Sequence, residues 1–298
     1  MKIAVTGGTG FVGHHLVNKL LSAGHEVTVV TRRVPARDRF VSEVVYHVGS
    51  VDDTEALKSA FKSIFAVYHL VGIIAETKTN SFDKTVSQGT ANVVQACHES
   101  SVARLIYLSA MGTSINAPTR YHRTKYLAEQ AVIDSGLDFV IYRPSIIYGP
   151  GDGFVSLLTR MIKMYPVTPV IGSGKFMLQP VYIDDLVQAM AAALTNDRVL
   201  SQIIEIGGPE KLEYIEILNI IKRVLGKRRV NFHIPIAVMY AVASALEKIL
   251  TPAPITRDQL KMMEMGNTGD ITRMKELLSI EPIELEKGLR KYLRYPNG

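Results

Sequence analysis

A short stretch near the start, Val5-Thr6-Gly7-Gly8-Thr9-Gly10-Phe11-Val12-Gly13, most constrains what this chain can fold into. An apolar run, Ile3 to Val5, precedes it. An amphipathic segment, Phe11 to Ala23, comes next with Phe11, Val12, Leu16, Leu20 and Leu21 at helical spacing. The glycines therefore sit where a strand turns into a helix. Gly7 permits the tight turn, Gly10 lets backbone approach a phosphate, and Gly13 lets the helix pack close to the strand. Amides at the helix start then face an anion. The pattern predicts a dinucleotide site at Gly7, Thr9, Gly10, Phe11, Val12 and Gly13, against the plainer reading of a glycine-rich turn.

Beyond this turn the strand-helix alternation repeats. Glu26 to Val30, Val44 to Val48, Ala66 to Val71, Arg104 to Ser109 and Phe139 to Arg143 read as strands, with helices between them, one over Ser87 to Ser100. This alternation predicts an α/β fold: a doubly wound, Rossmann-like parallel sheet with a smaller, mostly helical C-terminal substrate domain. The dinucleotide-binding domain is expected over 1–148, with a later return near 179–206, and the smaller substrate or partner domain over 149–298. Past Pro144 the texture changes. Tyr165 to Gly174 is broken by Pro166, Pro169, Gly172 and Gly174, Ile203 to Ile206 is one more short strand, and the tail is mostly helical.

The loop after the second strand separates cofactors. NAD binders of this type place an acid there for the ribose 2′-hydroxyl. Here the strand runs into Thr31-Arg32-Arg33, and a guanidinium fork suits a 2′-phosphate. NADP(H) is therefore favoured over NAD(H); the plain alternative is that Arg32 and Arg33 are solvated loop charges. Asp52 or Asp53 caps the next helix, and an acid there equally suits the adenine amino group. Leu70, Val71 and Gly72 end the fourth strand where backbone passes under the cofactor ribose.

Net charge is +6 with a pI near 9.2. The positives are scattered apart from Lys227-Arg228-Arg229, and no nucleic-acid-binding motif accompanies them, so a nucleic-acid partner is not expected. The single cysteine, Cys97, cannot form an intramolecular disulfide, which favours a reducing compartment. The eight histidines lack metal-ligand spacing, so no metal is expected. Met1 leads straight into a strand without a signal peptide, and no apolar run is long enough to span a membrane. A cytoplasmic location is the resulting expectation.

The fifth strand ends in Ser109-Ala110-Met111-Gly112. Tyr121 lies beyond it, and Lys125 is one helical turn further, on the same face. A phenol is a poor base at neutral pH, with a pKa of about 10. A neighbouring ammonium and a cationic nicotinamide ring favour the phenolate and bring that value down. Lys125 also suits the ribose hydroxyls. The bland alternative is an exposed tyrosine and a solvated lysine.

Five segments together carry a resemblance: Thr6-Gly7-Gly8-Thr9-Gly10-Phe11-Val12-Gly13, Leu108-Ser109-Ala110-Met111-Gly112, Tyr121-x-x-x-Lys125, Arg143-Pro144-Ser145-Ile146-Ile147-Tyr148-Gly149-Pro150-Gly151-Asp152, and Val181-Tyr182-Ile183-Asp184-Asp185. The whole chain resembles the extended and atypical short-chain dehydrogenases/reductases, the NAD-dependent epimerase/dehydratase group. Within it, the chain is similar to bacterial relatives of the 39-kDa accessory subunit of respiratory complex I. The resemblance implies that the glycines bind pyrophosphate and that Arg32 and Arg33 take the 2′-phosphate. It makes Tyr121 the acid/base, has Lys125 hold the ribose, and puts Pro144 and Ser145 in the nicotinamide pocket. Two departures bear on turnover rather than on cofactor binding. The substrate-polarising Ser or Thr falls at Ala110, or at Ser109 with a one-residue shift. The structural Asn of the fourth helix falls at Val86.

The candidate substrate pocket (Met111, Ile147, Tyr148, Phe154, Tyr182) is apolar and short of the cations a sugar diphosphate needs. Three functions stay open: an NADP(H)-dependent oxidoreductase acting through Tyr121 and Lys125 on a hydrophobic carbonyl or hydroxyl compound; a catalytically weak or inactive NADPH-binding accessory or assembly protein of a respiratory complex; and a nucleotide-sugar epimerase/dehydratase. A monomer or homodimer is expected. The apolar stretch Ile234 to Leu246 reads either as a buried tail helix or as a docking surface for a partner protein or a membrane, which would place the chain peripheral to an inner membrane.

Overall fold

The computed structural model describes residues 1–36 and 40–293. The anticipated alternation organises it. Strands β1 (Lys2–Thr6), β2 (Glu26–Thr31), β3 (Val45–Val48), β4 (Ala66–His69), β5 (Arg104–Leu108) and β6 (Asp138–Pro144) are joined much later by β11 (Gln202–Ile206). Together they form one seven-stranded sheet in the order β11-β6-β5-β4-β1-β2-β3, parallel throughout. The order reverses between β1 and β4, so their C-terminal ends open a crevice where a ligand can sit.

Both faces of the sheet are buried, which is why its central strands read as continuous apolar runs. Helices α1 (Phe11–Ser22) and α6 (Ile183–Ala192) cover one face through Leu16, Leu20, Leu186 and Met190. Helices α2 (Thr54–Phe61), α3 (Gly89–Glu99) and α4 (Arg120–Ile133) cover the other through Leu57, Val93, Cys97 and Val132. The first core continues without a break into the later chain, taking in Leu158, Ile217 and Leu289.

That later chain adds three two-stranded ribbons: β7 (Ile147–Tyr148) with β10 (Val181–Tyr182), β9 (Met177–Leu178) with β12 (Leu212–Glu213), and β8 (Val167–Ile171) with β13 (Val230–Ile234). Helices α5 (Phe154–Met164), α7 (Tyr214–Val224), α8 (Ile236–Ile249), α9 (Arg257–Met265), α10 (Thr272–Leu278) and α11 (Leu285–Tyr292) complete it.

Two local expectations need correction, and one open choice is resolved. The stretch expected to be broken by prolines contains β8, because a two-stranded ribbon leaves one side of each strand without a ladder partner and Pro169 is tolerated there. The helix expected from Ser87 begins instead as a π turn, Asp83–Gln88, leading into α3. The Thr90 hydroxyl donates to the Val86 carbonyl at 2.6 Å and competes with the ordinary backbone bond. Of the two acids considered as cap, Asp53 caps α2 by accepting from the Ala56 amide at 3.0 Å, while Asp52 pairs with Lys84.

Candidate functional site

The crevice begins at the glycine turn. Gly7 has φ +76°, a left-handed conformation that glycine adopts without penalty. A Cβ on Gly13 would stand 2.2 Å from the Gly7 carbonyl oxygen and 2.6 Å from Gly8 Cα, so α1 starts in direct contact with the turn. Gly10 precedes α1 with no side-chain cap, and the first turn of α1 carries no acid. A Cβ there would meet only the Gly7 oxygen, at 3.3 Å. Backbone amides, a helix dipole and an open approach at Gly10 fit a phosphate group. Thr9 is exposed beside it, and Phe11 and Val12 are half-buried.

The flanking positions lie as the chain order places them. Arg32 and Arg33 are exposed just past β2, and neither pairs with a carboxylate among the described residues. Leu70 donates its amide to the Thr6 carbonyl at 3.1 Å, and the Val71 nitrogen lies against Gly7. A Cβ on Gly72 would be 3.5 Å from Lys125 Nζ, so backbone leaving β4 passes directly over that ammonium.

Tyr121 and Lys125 sit in the first turns of α4. Thr119 starts this helix, its hydroxyl accepting from the His122 amide and bonding His122 Nδ1 at 2.7 Å. Arg120 ties the same end to Glu76 and Asp83. Tyr121 is half-buried, its ring edge-on to Phe82 and to His122. Lys125 is 3% exposed; its Nζ donates to the Leu108 carbonyl at 2.7 Å and lies 4.7 Å above the Tyr107 ring. Burial holds the Lys125 ammonium down to about 8, against a smaller opposing pull from Glu129.

The expected lowering of the phenol pKa rests on Lys125 together with a nicotinamide ring, and the protein by itself supplies an opposing effect. Burial pushes the Tyr121 phenol up to about 12, and no effect of Lys125 offsets it. The lysine is committed to the end of β5, and desolvation of the phenol dominates.

The substrate side is less open than its composition suggested. Ser109 is buried, with its hydroxyl 3.4 Å from that of Thr113, which donates to the Ala110 carbonyl. Met111 is buried and donates its amide to the Pro144 carbonyl at 2.9 Å. Ser145 donates its hydroxyl to the Asn267 carbonyl at 3.1 Å, and Gly269 packs on the end of Met111. Ile147 and Phe154 are half-buried. Tyr148 and Tyr182 are core residues: their rings pack at 5.4 Å, the Tyr148 hydroxyl donates to the Glu284 carbonyl, and Lys291 covers Tyr182. The pocket proposed from sequence thus divides, with these two tyrosines taken up by packing against α11.

Sequence reasoning missed a buried polar chain under the turn. Thr6 Oγ1 contacts His69 Nδ1 at 2.7 Å, His69 Nε2 contacts Thr90 Oγ1 at 3.0 Å, and Thr90 donates onward to Val86. Because the Thr90 hydroxyl hydrogen is already committed, His69 must donate from Nε2 and accept at Nδ1. Burial drives its pKa down to about 3, so the imidazole stays neutral. A second omission is the bidentate pair between Arg143 of β6 and the fully buried Glu129 of α4, which fixes the helix carrying Tyr121 and Lys125 to the sheet. A polar residue ending an apolar strand was the one available signal for His69; nothing local signalled the Glu129 pairing.

A model of the NAD dependent epimerase/dehydratase family matches residues 3–207. The chain is 27% identical, over 94% of its length and 73% of the relative, to the mitochondrial NADH dehydrogenase [ubiquinone] 1 alpha subcomplex subunit 9 of Arabidopsis thaliana. It is 25% identical, over 96% of its length and 60% of the relative, to a 3beta-hydroxysteroid-dehydrogenase/decarboxylase of the same plant. Its fold is similar to that of the dTDP-glucose 4,6-dehydratase DesIV of Streptomyces venezuelae solved with NAD bound: TM-score 0.77, 21% identity, 99% of this chain and 96% of that one.

Proposed function

The chain belongs to the NAD dependent epimerase/dehydratase family, and on that premise we propose that it is an NADP(H)-dependent oxidoreductase of a hydrophobic carbonyl or hydroxyl compound. The observation that carries this reading is the buried Lys125 ammonium one helical turn behind Tyr121 and directly beneath Gly72. Burying an ammonium costs folding energy that packing alone does not require.

Gly7, Gly10 and Gly13 would hold the pyrophosphate, Arg32 and Arg33 the 2′-phosphate, and Pro144 and Ser145 would border the nicotinamide. When bound, the nicotinamide supplies the redox chemistry. Tyr121 manages the proton at its phenolic oxygen. Although burial makes the phenol a weaker acid, raising it to about 12, it also keeps it protonated at physiological pH. That suits the direction in which a carbonyl oxygen gains a proton. Lys125 would hold the ribose hydroxyls, and Glu129, anchored by Arg143, holds α4 in place. The half-buried Ile147 and Phe154 side chains favour an apolar substrate. The steroid named for the plant relative is consistent with that class.

A second reading has its own support. The similarity to a complex I subunit, the alanine at 110 and the valine at 86 favour an accessory protein that binds the nucleotide without turning over.

Titration with NADPH and NADH, followed by turnover on a panel of carbonyls, quinones and nucleotide sugars, separates these readings. Tyr121→Phe is expected to lower turnover by about 10²–10⁴-fold and to leave NADPH binding intact. Binding without turnover in the wild type moves the protein to the accessory role. Failure to bind either nucleotide refutes both.

A further inference from the structure

We propose that the outer face of α8, with the adjoining face of β13, docks on the surface of an anionic lipid bilayer, the helix lying in the headgroup plane. Ala243 is the one buried residue of this apolar helix. Its inner side is committed to α9, through the Tyr240 hydroxyl on Glu264 at 2.5 Å and Glu247 on Arg257. Its outer side is a continuous exposed stripe: Ala237, Val238, Ala241, Val242, Ala245 and Ile249. Val238 and Val242 are 49% and 43% exposed, and Ile249 is 77% exposed. Such a run of apolar positions at helical spacing, with no charge among them, is unusual on a surface exposed to water.

The apolar surface does not end with the helix. Strand β13 runs into α8 through Pro235, and its Val230 and Phe232 are 74% and 59% exposed. Their partners across the ribbon are Val167 and Pro169. An aromatic ring and branched aliphatics beside a helix stripe match the composition of an interfacial anchor.

Charge selects the occupant. Stretches 153–183 and 217–246 contain three and five Lys or Arg and no Asp or Glu; of these Arg223 is taken by Glu286, and Glu247, the acid of α8, is taken by Arg257. Lys227 and Arg228 stand exposed at the foot of β13, and Lys248 continues the α8 stripe. Among the described residues none of these three, nor Lys163, is paired with a carboxylate. A second copy of the chain meeting this face by two-fold symmetry would bring like charges together. A bilayer with anionic headgroups satisfies both the apolar stripe and the basic border. The geometry also fits lying rather than spanning: at about 1.5 Å per residue, the 14 residues of α8 reach about 21 Å, short of a hydrocarbon core of about 30 Å. None of the described helices is long and apolar enough to cross a membrane.

The test is co-sedimentation of the full chain with vesicles of phosphatidylcholine alone and of phosphatidylcholine with phosphatidylglycerol. The expected result is binding to the anionic vesicles alone, reduced about 10-fold or more by Val238→Asp with Val242→Asp and separately weakened by Lys227→Glu with Arg228→Glu. Both valines are half-exposed, so the acidic variants should fold; a circular-dichroism melt checks this. The chain has no tryptophan, so Val242→Trp provides a single reporter whose emission should shift to the blue on anionic vesicles. No binding, or binding indifferent to the valine pair, overturns the proposal. So does a wild-type dimer, seen by sedimentation velocity, that the valine pair dissociates, because the face would then belong to a second copy. Each readout is independent of nucleotide binding and turnover.

Discussion

Replacing Lys125 by methionine should stabilise the nucleotide-free protein at neutral pH while removing its proposed activity. The structure holds the Lys125 ammonium down from 10.5 to about 8, chiefly by burial. At about 1.4 kcal/mol per pH unit, keeping the charged form in place costs about 3 kcal/mol. Methionine of similar length avoids that cost but leaves the Leu108 carbonyl without its 2.7 Å donor, a loss of about 1 kcal/mol. The net gain at pH 7 is then about 2 kcal/mol, or a few degrees in Tm. The direction of the shift sets the pH dependence. Below 8 the lysine is charged in both states, and the native state bears the full penalty. Between 8 and 10.5 the folded lysine releases its proton before the unfolded one does, so wild-type stability rises with pH relative to the variant. The assay is urea denaturation of wild type and Lys125→Met at several values between pH 7 and pH 10. Taking the difference at each pH cancels the tyrosines that titrate at the alkaline end. A wild type as stable as the variant at pH 7, or a gap that fails to narrow with rising pH, would refute the assignment of Lys125 as a buried charge under desolvation stress.

Three further outcomes are expected. Gly13→Ala places a methyl group 2.2 Å from the Gly7 carbonyl oxygen; it should cost about 1–3 kcal/mol and abolish nucleotide binding, both readable by thermal shift with and without NADPH. Arg32→Ala with Arg33→Ala should weaken NADPH by about 10-fold or more relative to NADH, as expected for lost charge-assisted hydrogen bonds; unchanged preference in calorimetry would return these arginines to solvated loop charges. Glu129→Leu leaves Arg143 without its bidentate partner and should destabilise the fold by about 3 kcal/mol in urea denaturation, with no loss if water already screens the pair.

How much of this was legible in the sequence depended on the range of the interaction. The sheet, its order of elements and the glycine turn were legible because their requirements are local. A Cβ on Gly13 collides with a residue less than two helical turns away, and buried strands must be continuously apolar. The spacing of Tyr121 and Lys125 was equally local. What the lysine does with its charge was not. The Leu108 carbonyl and the Tyr107 ring that hold it come from a strand packed beneath the helix, so the burial that opposes a lowered phenol pKa had no local signature. Glu129 and Arg143 meet across the helix-sheet interface, and His69 finds Thr6 and Thr90 from two other elements. The division of the apolar pocket has the same origin, since Tyr148 is claimed by α11, far along the chain. The α8 stripe had been left open between core and docking surface; the burial of Ala243 alone shows how little of that helix is used internally.

The short loop after β7 has a reach out of proportion to its length. Gly151 lies against the Phe11 ring, and His15 of α1 donates to the Pro150 carbonyl at 2.9 Å. The next residue, Asp152, is buried, accepts from the Val155 and Ser156 amides that open α5, and takes the hydroxyl of Tyr292 in α11. The first helix and the last are thus tethered through one brief bend. A trim at the far end that removed Tyr292 would therefore loosen the collar around the threshold where the chain first turns, though the two stand at opposite extremes of the polypeptide.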